Sequence, residues 1–180
     1  LLQDEMFVRS TFNTVLFAAL CTPAMVITGL ALALALNRPG RATAILRGVF
    51  FGAGVLSVTI VTLVWRLVLM PEHGMLANAA HGMGLDSGAP LTDQWLALPM
   101  VVMATVWWGV GMPMMLFLAS LQQIPHDVYE AAALDNTSRW RSFRHITLPA
   151  IRHSVILVAV TQLIAQLQVF GQIQLLTQGG

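Results

Sequence analysis

Hydrophobic positions along this chain do not alternate with polar ones; they come in long blocks separated by polar segments. Residues 15–36, VLFAALCTPAMVITGLALALAL, carry no charge. A helix of that length, rising about 1.5 Å per residue, spans a hydrocarbon core about 30 Å thick. Pro23 falls inside the block, a position that a membrane bundle tolerates because neighbouring helices satisfy the freed carbonyl. A second block, 48–70, is interrupted only by Arg66, close to the exit at Pro71; there a long side chain can snorkel to the interface. A third, 95–120, carries Trp107 and Trp108, and a fourth, 154–176, contains Gln162, Gln166, Gln168 and Gln172. The pattern predicts an all-α membrane protein, a polytopic helical bundle with about four transmembrane helices.

The connections sort by charge. Segment 37–47 holds Arg38, Arg41 and Arg47 without an acid; 71–94 holds Glu72, Asp86 and Asp93 without an Arg; 121–153 holds Arg139, Arg141, Arg144 and Arg152. By the positive-inside rule the first and third are cytoplasmic and the second external, which puts both ends outside. The external connection is rich in Gly, Asn, Asp and Pro and predicts turns, with one short interfacial helix near Met75 to Ala80. The chain starts on Leu without a signal-peptide pattern and stops on Gly-Gly at a helix exit. It is therefore expected to be an internal piece of a longer membrane protein, a single transmembrane domain over 1–180.

Composition strengthens this picture. Hydrophobic residues make up 57% and charged residues 9%, against about 25% charged in soluble domains. The net charge of +1 gives no field suited to nucleic acid. All nine basic residues are Arg, so the chain has no Lys for a phosphate loop or a Schiff base. Cys21 is the single cysteine, which leaves it a packing role. The five histidines form no metal-ligand spacing, and carboxylates are nearly absent from the apolar blocks. Neither a metal site nor an intramembrane proton relay is expected.

The segment 121–153 is the patterned one. Pro125 suits a first helical position, with Asp127 and Glu130 in the turns that follow, where the helix dipole favours acids. Ala131, Ala132 and Ala133 are strong helix formers with little bulk. Asp135-Asn136 is expected to end that helix, since Asn substitutes well for Gly in a left-handed turn. Thr137 or Ser138 can cap a second helix reaching about His145, before Pro149 marks the approach to the fourth span. The expectation is a helix-turn-helix on the inner face of the membrane, bearing a patch of small residues.

These residues carry a family likeness. Glu130-Ala131-Ala132, three residues, position 136, nine residues, then Ile146-Thr147-Leu148-Pro149 resembles the EAA loop of importer permeases, the membrane subunits of ATP-binding-cassette (ABC) uptake systems. The wider string YEAAALDNTSRWRSFRHITLPAI, with Tyr129, Asp135, Trp140 and Phe143, is similar to the carbohydrate-uptake branch. The ending LLTQGG and the opening FVRSTFNTVLFAAL resemble its maltose and glycerol-phosphate type. One departure is Asn136, where the family has Gly; Asn reaches positive φ at modest cost.

The resemblance implies an importer-permease (MetI-like) core in a bacterial or archaeal cytoplasmic (inner) membrane. Its partners would be a second permease subunit, cytoplasmic ATP-binding subunits, an external solute-binding protein and the lipid bilayer. The chain itself would hold no cofactor and catalyse nothing, ATP and Mg belonging to the partner ATPase. Tyr129, Glu130, Ala131, Ala132, Asp135, Asn136, Ile146, Leu148 and Pro149 would form the ATPase-coupling loop.

The residues alone leave alternatives open. Glu130 could serve only the helix dipole or a local pair with Arg, and the arginines could be only the positive-inside signal. Gln162 and Gln166, and likewise Gln168 and Gln172, lie four apart on one face. They can bond neighbouring helices or line a path for a hydroxylated solute. Trp107 can stack on a sugar ring or pack against aromatics and lipid. Gly48 and Gly52 form a G-x-x-x-G pair that hints at close helix packing. A non-ABC carrier, or a membrane scaffold whose loop docks another partner, is the competing reading.

Overall fold

The computed structural model describes residues 5–70, 74–75, 97–134 and 137–168. Among them the regular structure is helical. Helix α1 (Glu5–Leu36) runs straight through the first apolar block and past Pro23. Its Ser10–Leu36 portion has a mean hydropathy of 2.2 and is long and apolar enough to cross a membrane by itself. Phe17, Cys21, Met25, Ala33 and Leu36 are buried. With buried Gly29 between Met25 and Ala33, their spacing of three and four residues places them on one stripe of the helix.

The other apolar blocks also become helices, but each as a bent pair. Helices α2 (Arg41–Ala53) and α3 (Val58–Val68) meet at 99°, and α4 (Ala97–Gly109) and α5 (Gly111–Gln122) at 52°. After α6 (His126–Leu134), helix α7 (Arg139–Ala150) and helix α8 (Arg152–Leu167) meet at 67°. Up to four membrane crossings are present if each bent pair counts as one. The expectation of one continuous helix over 48–70 therefore needs revision: the helix starts earlier, at Arg41, and breaks at 54–57.

Each bend has a local cause. At the first, the Ser57 hydroxyl caps α3 by accepting from the Ile60 N–H (3.4 Å), as N-terminal serines do. The Trp108 indole N–H donates to the Leu56 carbonyl at 3.1 Å, satisfying an acceptor that the break frees. At the second, Pro113 has no N–H for the Gly109 carbonyl, and its ring crowds that oxygen. At the third, Pro149 does the same to the His145 carbonyl, and the chain around it widens into a π-turn, Phe143–Thr147, in which the Leu148 N–H bonds to Phe143 O.

Helix α5 sits at the centre. Met114, Phe117, Leu118 and Leu121 join Ala33 and Leu36 of α1, Ile151 and Val158 in one core cluster. A second cluster joins Phe17, Cys21 and Met25 of α1 to Val101 and Val110. Two glycines permit the close approaches. A Cβ on Gly29 would lie 2.8 Å from Pro113 Cβ, and one on Gly111 would lie 2.7 Å from Phe51 Cα. By contrast, a Cβ on Gly48 or Gly52 would meet nothing within 4 Å. The G-x-x-x-G pair thus makes no close helix contact among the described residues.

Because Leu36, Leu121 and Ile151 share one cluster, the Arg-rich connections 37–47 and 121–153 emerge at the same end of the bundle. Arg47 closes this end. Its guanidinium donates to the Leu36 carbonyl and, at 3.2 Å, to the Arg38 carbonyl, capping the C-terminus of α1 where cations are favoured. The connection 71–94, expected to be external, lies outside the described residues except for Gly74 and Met75, and with it all but the first residue of the expected helix near Met75 to Ala80.

Candidate coupling and translocation sites

Helix α6 carries the first half of the EAA-type string and contains no buried residue. Asp127 lies in its first turn, favourable to the dipole. Glu130 projects outward, and its ion-pair partner among the described residues is the His126 imidazole, Oε1 to Nδ1 at 3.9 Å, with both side chains largely exposed. Such a pair is worth little in water, so Glu130 remains available to an external cation. Ala131 and Ala133 are exposed, Ala132 is half-buried, and Leu134 stands 88% exposed. The result is a surface of small residues with two exposed acids, Asp127 and Glu130, and one bare leucine.

The Thr137 N–H reaches back to the Ala132 carbonyl at 3.1 Å and closes the helix end. Asp135 and Asn136, on which the turn was expected, lie outside the described residues. Ser138 then caps α7, its hydroxyl accepting from the Arg141 N–H. Trp140, 69% exposed, stacks on Phe143 with centroids 5.6 Å apart. Ile146 is half-buried, while Leu148 and Pro149 are exposed around the π-turn.

Tyr129 ties α6 to the rest of the chain. It is half-buried, and its hydroxyl lies 2.9 Å from that of Thr147, which is 4% exposed. The spacing of 18 residues hides this pair from any local sequence pattern. Nearby, the Ser120 and Ser154 hydroxyls are 2.6 Å apart and join the end of α5 to the start of α8.

The second candidate site is on α8. Gln166 is 3% exposed and donates from Nε2 to Gln162 Oε1 at 3.3 Å. Its own Oε1 is buried with no hydrogen-bond partner among the described residues. The structure therefore brings this pair together and leaves one strong acceptor free. Gln168 is exposed at the end of α8, and Gln172 lies outside the described residues. Trp107 lies elsewhere. It meets Trp65 edge to face, with centroids 5.9 Å apart, and lines an apolar cavity of about 530 Å³ with Leu20, Val102 and Met103. Neither glutamine lines that cavity.

The bundle of bent, apolar helices thus carries its EAA-type helix at the Arg-rich end. Residues 6–180 match the family described as binding-protein-dependent transport system inner membrane component, and the chain belongs to that family. It is 33% identical to the probable ABC transporter permease protein YurN of Bacillus subtilis, covering 100% of this chain and 63% of that one. It is 34% identical to the diacetylchitobiose uptake system permease protein NgcF of Streptomyces coelicolor, covering 99% and 54%. Among solved structures, a bacterial alginate ABC transporter in complex with an alginate pentasaccharide-bound periplasmic protein matches with a TM-score of 0.90. The identity is 27%, and the match covers 99% of this chain and 65% of that one. The chain thus spans less than two thirds of the length of these relatives.

Proposed function

We propose that this chain is the translocation-forming part of a permease subunit of an ATP-driven ABC importer for a sugar or related solute. Helix α6 is its docking element for a separate cytoplasmic ATPase. A second permease subunit completes the path, and an external solute-binding protein delivers the solute. The observation that carries this reading is α6 itself. It is an EAA-type helix with no buried residue, aimed away from the core at the Arg-rich end, which we place in the cytoplasm. Tyr129, Glu130, Ala131, Ala132, Asp135, Asn136, Ile146, Leu148 and Pro149 make up the coupling loop in this reading. Within it Glu130 meets a basic group of the ATPase, and Ala131 and Ala132 allow close approach. ATP and Mg are held by that partner, and this chain contributes the moving foot.

The path for solute is assigned to the face of α8 that bears Gln162 and Gln166; Gln168 and Gln172, a second pair four apart in the sequence, and Trp107, which sits apart against Trp65, are assigned to other stretches of it. An unpaired buried amide oxygen costs about 1–3 kcal/mol, and a solute hydroxyl that donates to it would recover that cost. The relatives named for diacetylchitobiose and lactose support a hydroxyl-rich solute. The test uses the full-length transporter with its ATPase in proteoliposomes and a panel of radiolabelled oligosaccharides. ATP-dependent uptake of at least one member is expected, and its loss is expected in Glu130→Arg. Failure of any ATP-binding subunit to co-purify with the full-length chain would refute the reading.

A further inference from the structure

Helix α6 stands off the rest of the chain. None of its residues is buried, and behind it lies a cavity of about 680 Å³ lined by Ser120, Gln123, Val128, His145, His153 and Ser154 among others. Close apolar packing therefore cannot carry a push from α6 into the bundle. Among the described residues, the Tyr129–Thr147 hydroxyl pair is the side-chain hydrogen bond that joins α6 to another element.

The place where that bond lands matters. Thr147 is the last residue of the π-turn, and its carbonyl accepts from the Ile151 N–H at 3.1 Å, at the bend into α8. Ile151 is 1% exposed and belongs to the cluster with Leu36, Phe117 and Leu121. One turn of backbone therefore links the Tyr129 hydroxyl to the core. Beyond it, α8 carries Gln166. A π-turn has a looser hydrogen-bond ladder than an α-helix and occurs often at functional sites. It is an irregular turn that lies between α6 and α8.

We propose that Tyr129 and Thr147 form the strut that converts displacement of α6 into reorientation of α8. Thr147 acts as a positioning residue that touches neither the ATPase nor the solute. The inference rests on the proposed docking of α6 to an ATPase and adds the route by which that motion enters the membrane. Rigid docking alone would leave α8 in place, because the cavity would absorb the movement. With the strut intact, a shift of Tyr129 pulls on the turn at Pro149 and tilts α8 about Ile151.

The experiment uses the full transporter with its ATPase and needs no knowledge of the solute. Environment-sensitive fluorophores are placed singly on α6 at exposed Leu134 and on α8 at exposed Ile156, and ATP with vanadate is added to close the ATPases. In the unaltered chain both labels respond. In Thr147→Val, which keeps the shape and removes the hydroxyl, the α6 label should respond fully and the α8 label at least about five-fold less. That factor is the weight of one net hydrogen bond. Thr147→Ser should restore the α8 response, and Tyr129→Phe should reproduce the Val phenotype. The double variant Tyr129→Phe with Thr147→Val should be no worse than either single one.

An undiminished α8 response in both Thr147→Val and Tyr129→Phe would overturn the strut while leaving docking intact. Equal loss at both labels in Thr147→Val, or failure of Ser to rescue, would also overturn it, since a general packing defect would then be the cause. A silent α6 label in the unaltered chain would instead overturn the docking on which the strut rests.

Discussion

Helices α5 and α6 are separated by three residues yet solve opposite problems. Helix α5, GMPMMLFLASLQ, buries six residues, from Gly111 to Leu121, and anchors the core. Helix α6, HDVYEAAAL, buries none. The first uses bulk where neighbours close in and glycine where backbones meet. The second uses alanine and charge to keep a regular helix without committing it to the bundle. A helix of the core and a helix that buries nothing thus follow one another directly, with Pro125 between them. Sequence changes in the two helices should therefore have separable consequences: stability in α5, assembly and drive in α6.

The sharpest way to break this comparison is to load α6. Ala131→Trp combined with Glu130→Arg should weaken ATPase association by about 2 kcal/mol or more, roughly thirty-fold or greater, as loss of an interface hot spot does. The thermal unfolding of the permease should be unchanged. A large fall in unfolding temperature would show that α6 belongs to the core after all. Next in size is Gly111→Val. Its Cβ would meet the Phe50 and Phe51 backbone, and such overpacking typically costs about 1–3 kcal/mol. Lowered unfolding temperature is expected; an unaltered one would refute the close approach of α5 and α2.

Smaller effects separate the path from the scaffold. Gln166→Leu removes a buried, unpaired oxygen, so the protein should be as stable as before or up to about 1 kcal/mol more so. Its uptake of the transported solute should fall, read as a raised KM in proteoliposomes. Loss of stability with unchanged KM would make the Gln162–Gln166 pair purely structural. Smallest of all, Arg47→Ala frees the Leu36 and Arg38 carbonyls and should cost about 1 kcal/mol, measured by thermal unfolding in detergent. Uptake should stay at the level of the unaltered chain.

Much of this architecture was legible because burial in lipid leaves a coarse mark: long uncharged blocks, and arginines gathered in two connections that emerge together. The bends were not legible in the same way. Composition stays apolar through Gly54–Ser57 and through Val110, so hydropathy runs on while the backbone turns. Pro113 and Ser57 are the visible signals of those bends, and each has a bland alternative in a membrane helix. The EAA-type loop was readable from spacing alone, since its residues lie on contiguous turns. Tyr129 stood out in it, but Thr147 did not, because a hydrogen bond between separate elements leaves no periodic trace. Arg47 read as one more positive charge, although its guanidinium caps α1. For the glutamines, spacing indicated a shared face; only the burial of Gln166 distinguishes a poised acceptor from an idle amide.

The central claim is that the exposed face of α6 is an ATPase-docking surface. Its most direct measurement is cysteine crosslinking in the assembled transporter, with Cys21→Ala as the background. A cysteine at Ala133 should crosslink to the ATP-binding subunit, and one at Ile27, exposed within the apolar stretch of α1, should not. Crosslinking from neither position, or equally from both, would contradict the account.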